Sequence, residues 1–172
     1  MNKMKLFFPL VFAIIIYSCG ANKGKKQMRQ EIVRQETSLL SDSLGPIDRL
    51  KAQEMIQTYE NFVNSYPEDS LAPEYLFKGG EIAMNLEMSG RAIEGFQRIL
   101  NNYPNFNKAA LCIFLQAFIY ENQMQQYDTA KSLYLEFLEK YPSHDLAEDA
   151  IVSIQNMGKS LEELIKSWED SE

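Results

Sequence analysis

The sequence predicts an all-α fold of antiparallel helix hairpins stacked side by side. Helix-favouring residues dominate the chain, and no run of alternating β-branched residues predicts a strand. One pattern also occurs three times: an aromatic residue, an apolar residue three later, a tyrosine seven later and a proline directly after it. The prolines are Pro67, Pro104 and Pro142, so the period is 37 and then 38 residues. Such a period is typical of stacked helical hairpins, which commonly form binding surfaces.

Composition limits the classes of function. The chain has 172 residues, enough for one domain with a modest core, and its net charge is −7. An acidic chain without a basic stripe argues against a nucleic-acid partner. The two cysteines, Cys19 and Cys112, do not indicate a disulfide framework, and Cys112 is expected to be buried in an apolar helical run.

Residues 1–18 are predicted to be a secretory signal peptide. Lys3 and Lys5 supply a positive start, and an apolar run of 12 residues follows from Leu6 to Tyr17. This run is too short to span a bilayer, which needs about 20 residues.

The residues that follow resemble the lipobox of bacterial lipoproteins. Ile16, Ser18 and Cys19 stand where that motif has an aliphatic residue, a small residue and the cysteine, whereas Tyr17 is larger than usual. The resemblance implies that Cys19 becomes an acylated N-terminus, a stable membrane anchor. Gly20 favours the outer membrane, and the lack of a following acidic cluster favours its periplasmic face. A plain signal peptide with an incidental cysteine and an N-terminal membrane anchor remain alternatives.

Residues 19–45 are predicted to be a basic, flexible linker. Low apolar content and high charge favour an extended or only partly helical segment. The segment either lies near anionic lipid headgroups or is a solvated spacer. Turn residues at 41–46 mark the start of the next domain.

Residues 46–157 are predicted to form the helical hairpins, and residues 158–172 a terminal capping helix. Each Tyr-Pro ends a helix, because proline cannot continue one. The residues three positions after the prolines, Ser70, Asn107 and Asp145, are predicted N-caps. Gly79 and Gly80 indicate a close helix crossing. The predicted helices span 47–66, 70–88, 91–103, 107–122, 127–141, 145–157 and 160–168.

The hairpins resemble the tetratricopeptide repeat. Its second helix has a small residue, an aromatic four later and a proline eight after that; its first helix has a small residue with a tyrosine three later. The departures are a longer period and no early tryptophan. The resemblance implies a short right-handed superhelix. The matching positions are Ala92, Phe96 and Pro104, then Ala130, Tyr134 and Pro142, with Gly80, Ala117 and Tyr120 in the first helices.

The longer repeat that closes on Tyr-Pro looks like those of envelope lipoproteins that assist outer-membrane protein assembly, and of the periplasmic Tol–Pal coordinator. This resemblance implies a lipid-anchored periplasmic adaptor with a protein or peptide partner, serving outer-membrane protein assembly or envelope maintenance. It also implies a peptide groove on the concave face. The phenylalanines there would be anchors if exposed and core residues otherwise, and the asparagines would hold a peptide backbone. The implied groove residues are Glu74, Phe77, Glu81, Asn85, Leu111, Phe114, Phe118 and Asn122.

Two other classes of function have weaker support. An enzyme is not expected, because His144 is the one histidine and no catalytic, phosphate-binding or metal-binding motif occurs. No cofactor or metal is predicted. A carrier of a small apolar ligand or lipid is the alternative function; it requires a cavity between helices, lined by Met84, Leu86 and Phe118. The sequence leaves monomer and dimer open.

Overall fold

The structure is a computed structural model that describes residues 8–41, 48–160, 162–163 and 166; within the first range it describes the side chains of 23–39. The described part has seven α-helices and no strand, which confirms the all-α prediction. Among these residues, no helix is both long and apolar enough to cross a membrane. The helices are α1 (Phe8–Ser41), α2 (Arg49–Ser65), α3 (Ala72–Asn85), α4 (Ser89–Asn102), α5 (Ala109–Asn122), α6 (Tyr127–Lys140) and α7 (Ala147–Asn156).

The chain divides into two compact units, Met1–Ala72 and Pro73–Glu172. The first unit is the hairpin of α1 and α2, and the second contains the hairpins α3–α4 and α5–α6 followed by α7. From the sequence, α2 is expected to pack with the later helices, whereas in the structure it forms a hairpin with α1.

The expectation of a flexible linker at 19–45 differs from the structure, because α1 continues as a helix to Ser41. Three of its side chains contact α2 or the turn after it, namely Lys25, Arg29 and Glu36, and Ile32 lies at helical spacing with them. Ile32 is fully buried. The segment has too few apolar residues to predict a packed helix, and three of its polar side chains, Lys25, Arg29 and Glu36, find their partners across the hairpin.

A buried carboxylate holds α1 against the end of α2. The Asp69 side chain is only 4% exposed and accepts hydrogen bonds from Lys25 Nζ at 3.0 Å and from Arg29 Nη2 at 2.6 Å. It also accepts from the Leu71 N–H at 3.0 Å. Burial acts to raise the pKa of this carboxyl, but the hydrogen bonds outweigh burial and hold the pKa below its ordinary 3.8. Two of the basic charges that would meet lipid headgroups are therefore engaged within the protein.

Asp69→Asn is expected to destabilise the α1–α2 hairpin by about 1–2 kcal/mol, because it removes the charge shared by Lys25 and Arg29, which are themselves partly exposed. Amide hydrogen exchange in α1 should become about 5–30 times faster. Glu54→Gln on the exposed side of α2 is the control and should leave exchange unchanged. Equal exchange in Asp69→Asn and the native protein would contradict the assigned role.

The same contact gives a pH dependence. Because the pKa of Asp69 is depressed in the folded state, its stabilisation is fully present above 3.8 and is lost as the pH falls through the lower folded pKa. Protection of the α1 amides should fall in that range in the native protein. Asp69→Asn should lack this part of the acid transition.

The three Tyr-Pro turns share one backbone geometry. In each, the residue two positions after proline donates its N–H to the tyrosine carbonyl, at 3.0, 2.9 and 3.1 Å for Asp69, Phe106 and His144. Two of these residues also accept the following N–H groups, since Leu146 N–H donates to His144 Nδ1 at 3.1 Å and Leu71 N–H donates to Asp69. The N-cap predictions for α5 and α7 are wrong, because neither helix has a side-chain cap. Before α7, the His144 side chain one position earlier accepts instead.

Small residues bring helices close in the second unit, as predicted. A methyl group built on Gly80 of α3 would lie 2.6 Å from the ring of Phe96 in α4, a buried residue. Farther along, a core cluster joins α5, α6 and α7. Its fully buried members are Ala117, Tyr134, Phe137 and Ala150.

Two predicted segments lie largely outside the described residues. The structure describes neither residues 1–7 nor the side chains of 8–22, and Cys19 is one of these. The signal peptide and the lipid attachment therefore stay predictions. The same holds for most of the capping helix at 158–172. In its described part, the Glu163 N–H donates to Ser160 Oγ at 3.2 Å, and the Ser160 N–H donates to a Glu163 carboxylate oxygen at 2.7 Å. This reciprocal pair is a capping box.

Candidate functional site

Helices α3, α5 and α7 of the second unit each present one outward stripe, which on α3 and α5 is spaced i, i+4, i+7 and i+11. Equivalent positions in α3, α5 and α7 are 37 residues apart, so the stripes form rows from one helix to the next. We call this surface the A-face. Its residues are Glu74, Lys78, Glu81 and Asn85 on α3, Leu111, Leu115, Phe118 and Asn122 on α5, and Glu148, Val152 and Gln155 on α7, with Ile151 exposed beside them.

Lys108 fixes α3 to the start of α5. Its Nζ donates to Glu74 Oε1 at 2.9 Å and lies 4.4 Å from the centre of the Phe77 ring. The Phe77 ring also contacts Phe106 of the turn before α5, with ring centres 6.3 Å apart. An ion pair and a cation–π contact from one side chain thus set the spacing of the two helices at this end.

Gln123 fixes the other end of the same two helices. Its Nε2 donates to the Met84 carbonyl at 2.9 Å, and its Oε1 accepts from Ser89 Oγ at 2.7 Å. Helices α3 and α5 are therefore joined at both ends and run side by side, which holds equivalent positions in register. Neither Lys108 nor Gln123 is predicted from the sequence, since a polar residue beside a turn has no distinguishing pattern.

The centre of the A-face is apolar. Phe118 is 39% exposed, Ile151 45% and Val152 46%, and half-buried Leu111 and Leu115 lie on the stripe with Phe118. Helix α7 is held beside this stripe because Ala150 belongs to the same core cluster as α5 residues. Exposed apolar residues that share one face indicate an interaction surface, whereas isolated ones do not.

Two predicted groove residues lie in or against the core. Phe77 is 2% exposed, so the condition for an anchor is not met. Phe114 is half-buried and packs edge-on against Tyr134 and Phe137, with ring centres 5.4 and 5.6 Å apart. Phe77 directly precedes Lys78 in the sequence, and Phe114 directly precedes Leu115. In each pair the second residue belongs to the outward stripe.

The other predicted groove residues lie on the A-face. Glu81 and Leu111 are half-buried, and Asn85, Phe118 and Asn122 are exposed. The Asn122 amide donates to the Phe118 carbonyl at 3.0 Å, which fixes its orientation. That the asparagines hold a peptide backbone stays a prediction.

A family described as the tetratricopeptide repeat matches residues 74–105 and 111–144. The first range contains most of α3 and all of α4, and the second contains most of α5 and all of α6. Both hairpins therefore match the tetratricopeptide repeat. No curated protein and no solved structure matches the chain. The fold is an all-α array of tetratricopeptide-like hairpins, and such repeats typically form interaction scaffolds without catalytic activity.

The α1–α2 hairpin lies outside the matched tetratricopeptide repeats but shares their construction. Tyr59 Oη donates to Glu36 Oε1 at 2.7 Å, and Tyr134 Oη donates to Glu121 Oε2 at 2.8 Å. Each tyrosine begins the repeated pattern, and each glutamate lies near the end of the preceding helix. Burial raises the pKa of the Tyr134 hydroxyl, which keeps it protonated as the donor. The first unit thus has the same tyrosine–glutamate hydrogen bond between its two helices as the α5–α6 hairpin.

The groups suited to chemistry have structural roles. Burial raises the pKa of the Cys112 thiol to about 12, which makes it a poor nucleophile. His144 packs edge-on against Phe137, with ring centres 5.3 Å apart. Within the described residues, no group of three or more His, Cys, Asp or Glu side chains is arranged to hold a metal ion.

One pocket of about 290 Å³ is lined by residues of α4, α5 and α6 and of the turns beside them, and none of its lining residues belongs to the A-face. Leu100, Ile113 and Leu133 line it, together with polar residues such as Gln97 and the Glu136–Lys140 ion pair. It does not include Met84, Leu86 or Phe118, the residues expected to line a ligand-carrier cavity.

Proposed function

We propose that the chain is an interaction adaptor whose A-face binds a segment of a partner protein. The tetratricopeptide repeats support the general role of a scaffold. The observation that carries the site is the exposed apolar centre formed by Phe118, Ile151 and Val152. Binding a partner there would remove these side chains from water, at about 25 cal/mol for each Å² of apolar surface.

We place this adaptor in the bacterial envelope, anchored to the outer membrane through acylated Cys19 and facing the periplasm. The support is the order of features at the start of the sequence: Lys3 and Lys5, the apolar run, and the lipobox-like residues up to Cys19. Outer-membrane protein assembly or envelope maintenance is the process that the resemblance to envelope lipoproteins suggests.

Phe118→Asp tests the A-face. Peptides selected from a displayed random library on the native protein should bind Phe118→Asp at least about tenfold more weakly, because a charge replaces the apolar contact at the centre. Leu135→Asp is the matched control, since Leu135 is 50% exposed on α6 and lies away from the A-face. Affinity is measured by fluorescence polarisation, and circular dichroism checks that both variants remain folded. Failure to select any peptide, or equal binding by Phe118→Asp, would remove the proposed site.

Cys19→Ala tests the anchor separately. The native protein should incorporate a fatty-acid label and fractionate with outer membranes, and Cys19→Ala should do neither. Cys112→Ala is the control for the second cysteine and should retain both properties. Membrane attachment that persists without Cys19 would replace the lipid anchor with an N-terminal membrane segment.

A further inference from the structure

The A-face has charged side chains on α3 and apolar side chains on α5. Glu81 and Phe118 are equivalent positions, 37 residues apart in two helices joined at both ends. Neighbouring packed helices have axes about 8–10 Å apart. One short segment lying across the face would therefore meet a carboxylate and an aromatic ring in succession.

The two glutamates of the A-face on α3, Glu74 and Glu81, differ in how far charges within the protein already neutralise them. Glu74 is engaged by Lys108 Nζ at 2.9 Å. Glu81 is half-buried, with Lys78 on its own helix and Lys108 at the start of α5 as the cations near it. Burial raises the pKa of the Glu81 carboxyl, and the attraction of Lys108 does not outweigh this effect. A cation brought by a partner would compensate for this incomplete solvation, whereas an anion would increase the cost of the buried charge.

We infer that the partner segment has a lysine or arginine side chain next to an apolar or aromatic one, the cation lying against Glu81 and the apolar group against Phe118 and Leu115. This inference rests on the proposed function of the A-face. The acidic character of the protein, with a pI of about 4.9, favours the approach of such a segment. The ion pair sets which partners bind, and the apolar contact supplies most of the affinity.

A displayed random peptide library, selected in parallel on the native protein, Glu81→Lys and Glu94→Lys, tests the inference. Glu94 is exposed on α4, so Glu94→Lys makes the same change in net charge away from the A-face. The native protein and Glu94→Lys should both select peptides enriched in lysine or arginine beside an apolar residue. Glu81→Lys should lose this enrichment. The inference would be overturned if the peptides selected on the native protein were not enriched in lysine or arginine. It would also be overturned if Glu81→Lys selected peptides with the same enrichment.

A synthetic peptide from the selection is then used to measure the coupling free energy between the Glu81 carboxylate and the cationic side chain of the peptide. Replacing its cationic residue by glutamine should weaken binding to the native protein by about tenfold and should hardly change binding to Glu81→Gln. The two proposals fail separately. If no peptide depends on Phe118, the A-face itself is not a binding site. If binding depends on Phe118, but replacing the cationic residue of the peptide has the same effect on binding to the native protein and to Glu81→Gln, only the inference about partner charge fails.

Discussion

Phe137→Ala is expected to lower the free energy of unfolding of the second unit by about 3–5 kcal/mol. The Phe137 ring is fully buried and contacts Phe114, Tyr141 and His144, with ring centres 5.6, 6.0 and 5.3 Å away. Because these neighbours come from α5, from the end of α6 and from the following turn, they cannot collapse together into the space that the ring leaves. Urea denaturation followed by circular dichroism measures the change.

Leu135→Ala is the control for that experiment, because Leu135 is two residues away on the same helix and 50% exposed. It should change stability by no more than about 0.5 kcal/mol. A loss below about 1 kcal/mol in Phe137→Ala would contradict the assignment of this ring to the centre of the core.

Gly80→Val is expected to destabilise the α3–α4 hairpin by about 3 kcal/mol. The added Cβ would stand 2.6 Å from one ring atom of Phe96 and 2.9 Å from another. Phe96 is fully buried, so its ring cannot turn away without displacing other core side chains. The greater helix propensity of valine offsets only a few tenths of a kcal/mol.

Gly90→Val makes the same substitution in α4, where an added Cβ meets nothing within 4 Å. Its stability should be unchanged or slightly higher. The difference in urea midpoint between the two variants isolates the close helix crossing from helix propensity. Equal midpoints would show that the crossing tolerates a side chain.

The local features of the fold could be predicted well from the sequence. The repeated aromatic–apolar–tyrosine–proline pattern places α2, α4 and α6 and the turns that end them, since helical periodicity and the effect of proline depend on neighbouring residues only. The need for a small residue at Gly80 is likewise visible, because glycine inside a helix has a cost that close packing explains. Of the eight groove residues that the family resemblance implied, six lie on the A-face: Glu74, Glu81, Asn85, Leu111, Phe118 and Asn122.

The rest depends on contacts between distant residues. Phe77 and Phe114 are suitable binding residues by type, but the rotation of each helix against its neighbours places them in or against the core and turns Lys78 and Leu115 outward. Lys108 and Gln123 are ordinary polar residues until the fold brings Glu74 and the Met84 carbonyl within hydrogen-bond distance. Side-chain type alone does not give these pairings.

The sequence by itself determined the helical class, the order of the helices from α2 to α7 and the positions of the turns after α2, α4 and α6, because those properties follow from local backbone preferences and apolar spacing. Only the tertiary structure decided that the basic segment is helix α1, since Asp69 supplies a partner for Lys25 and Arg29 that no local pattern contains. Only the tertiary structure decided which stripe of α3, α5 and α7 faces outward. The physical reason is the same in both cases: burial and charge pairing are properties of groups that meet in space, and these groups are separated by 34 to 44 residues along the chain.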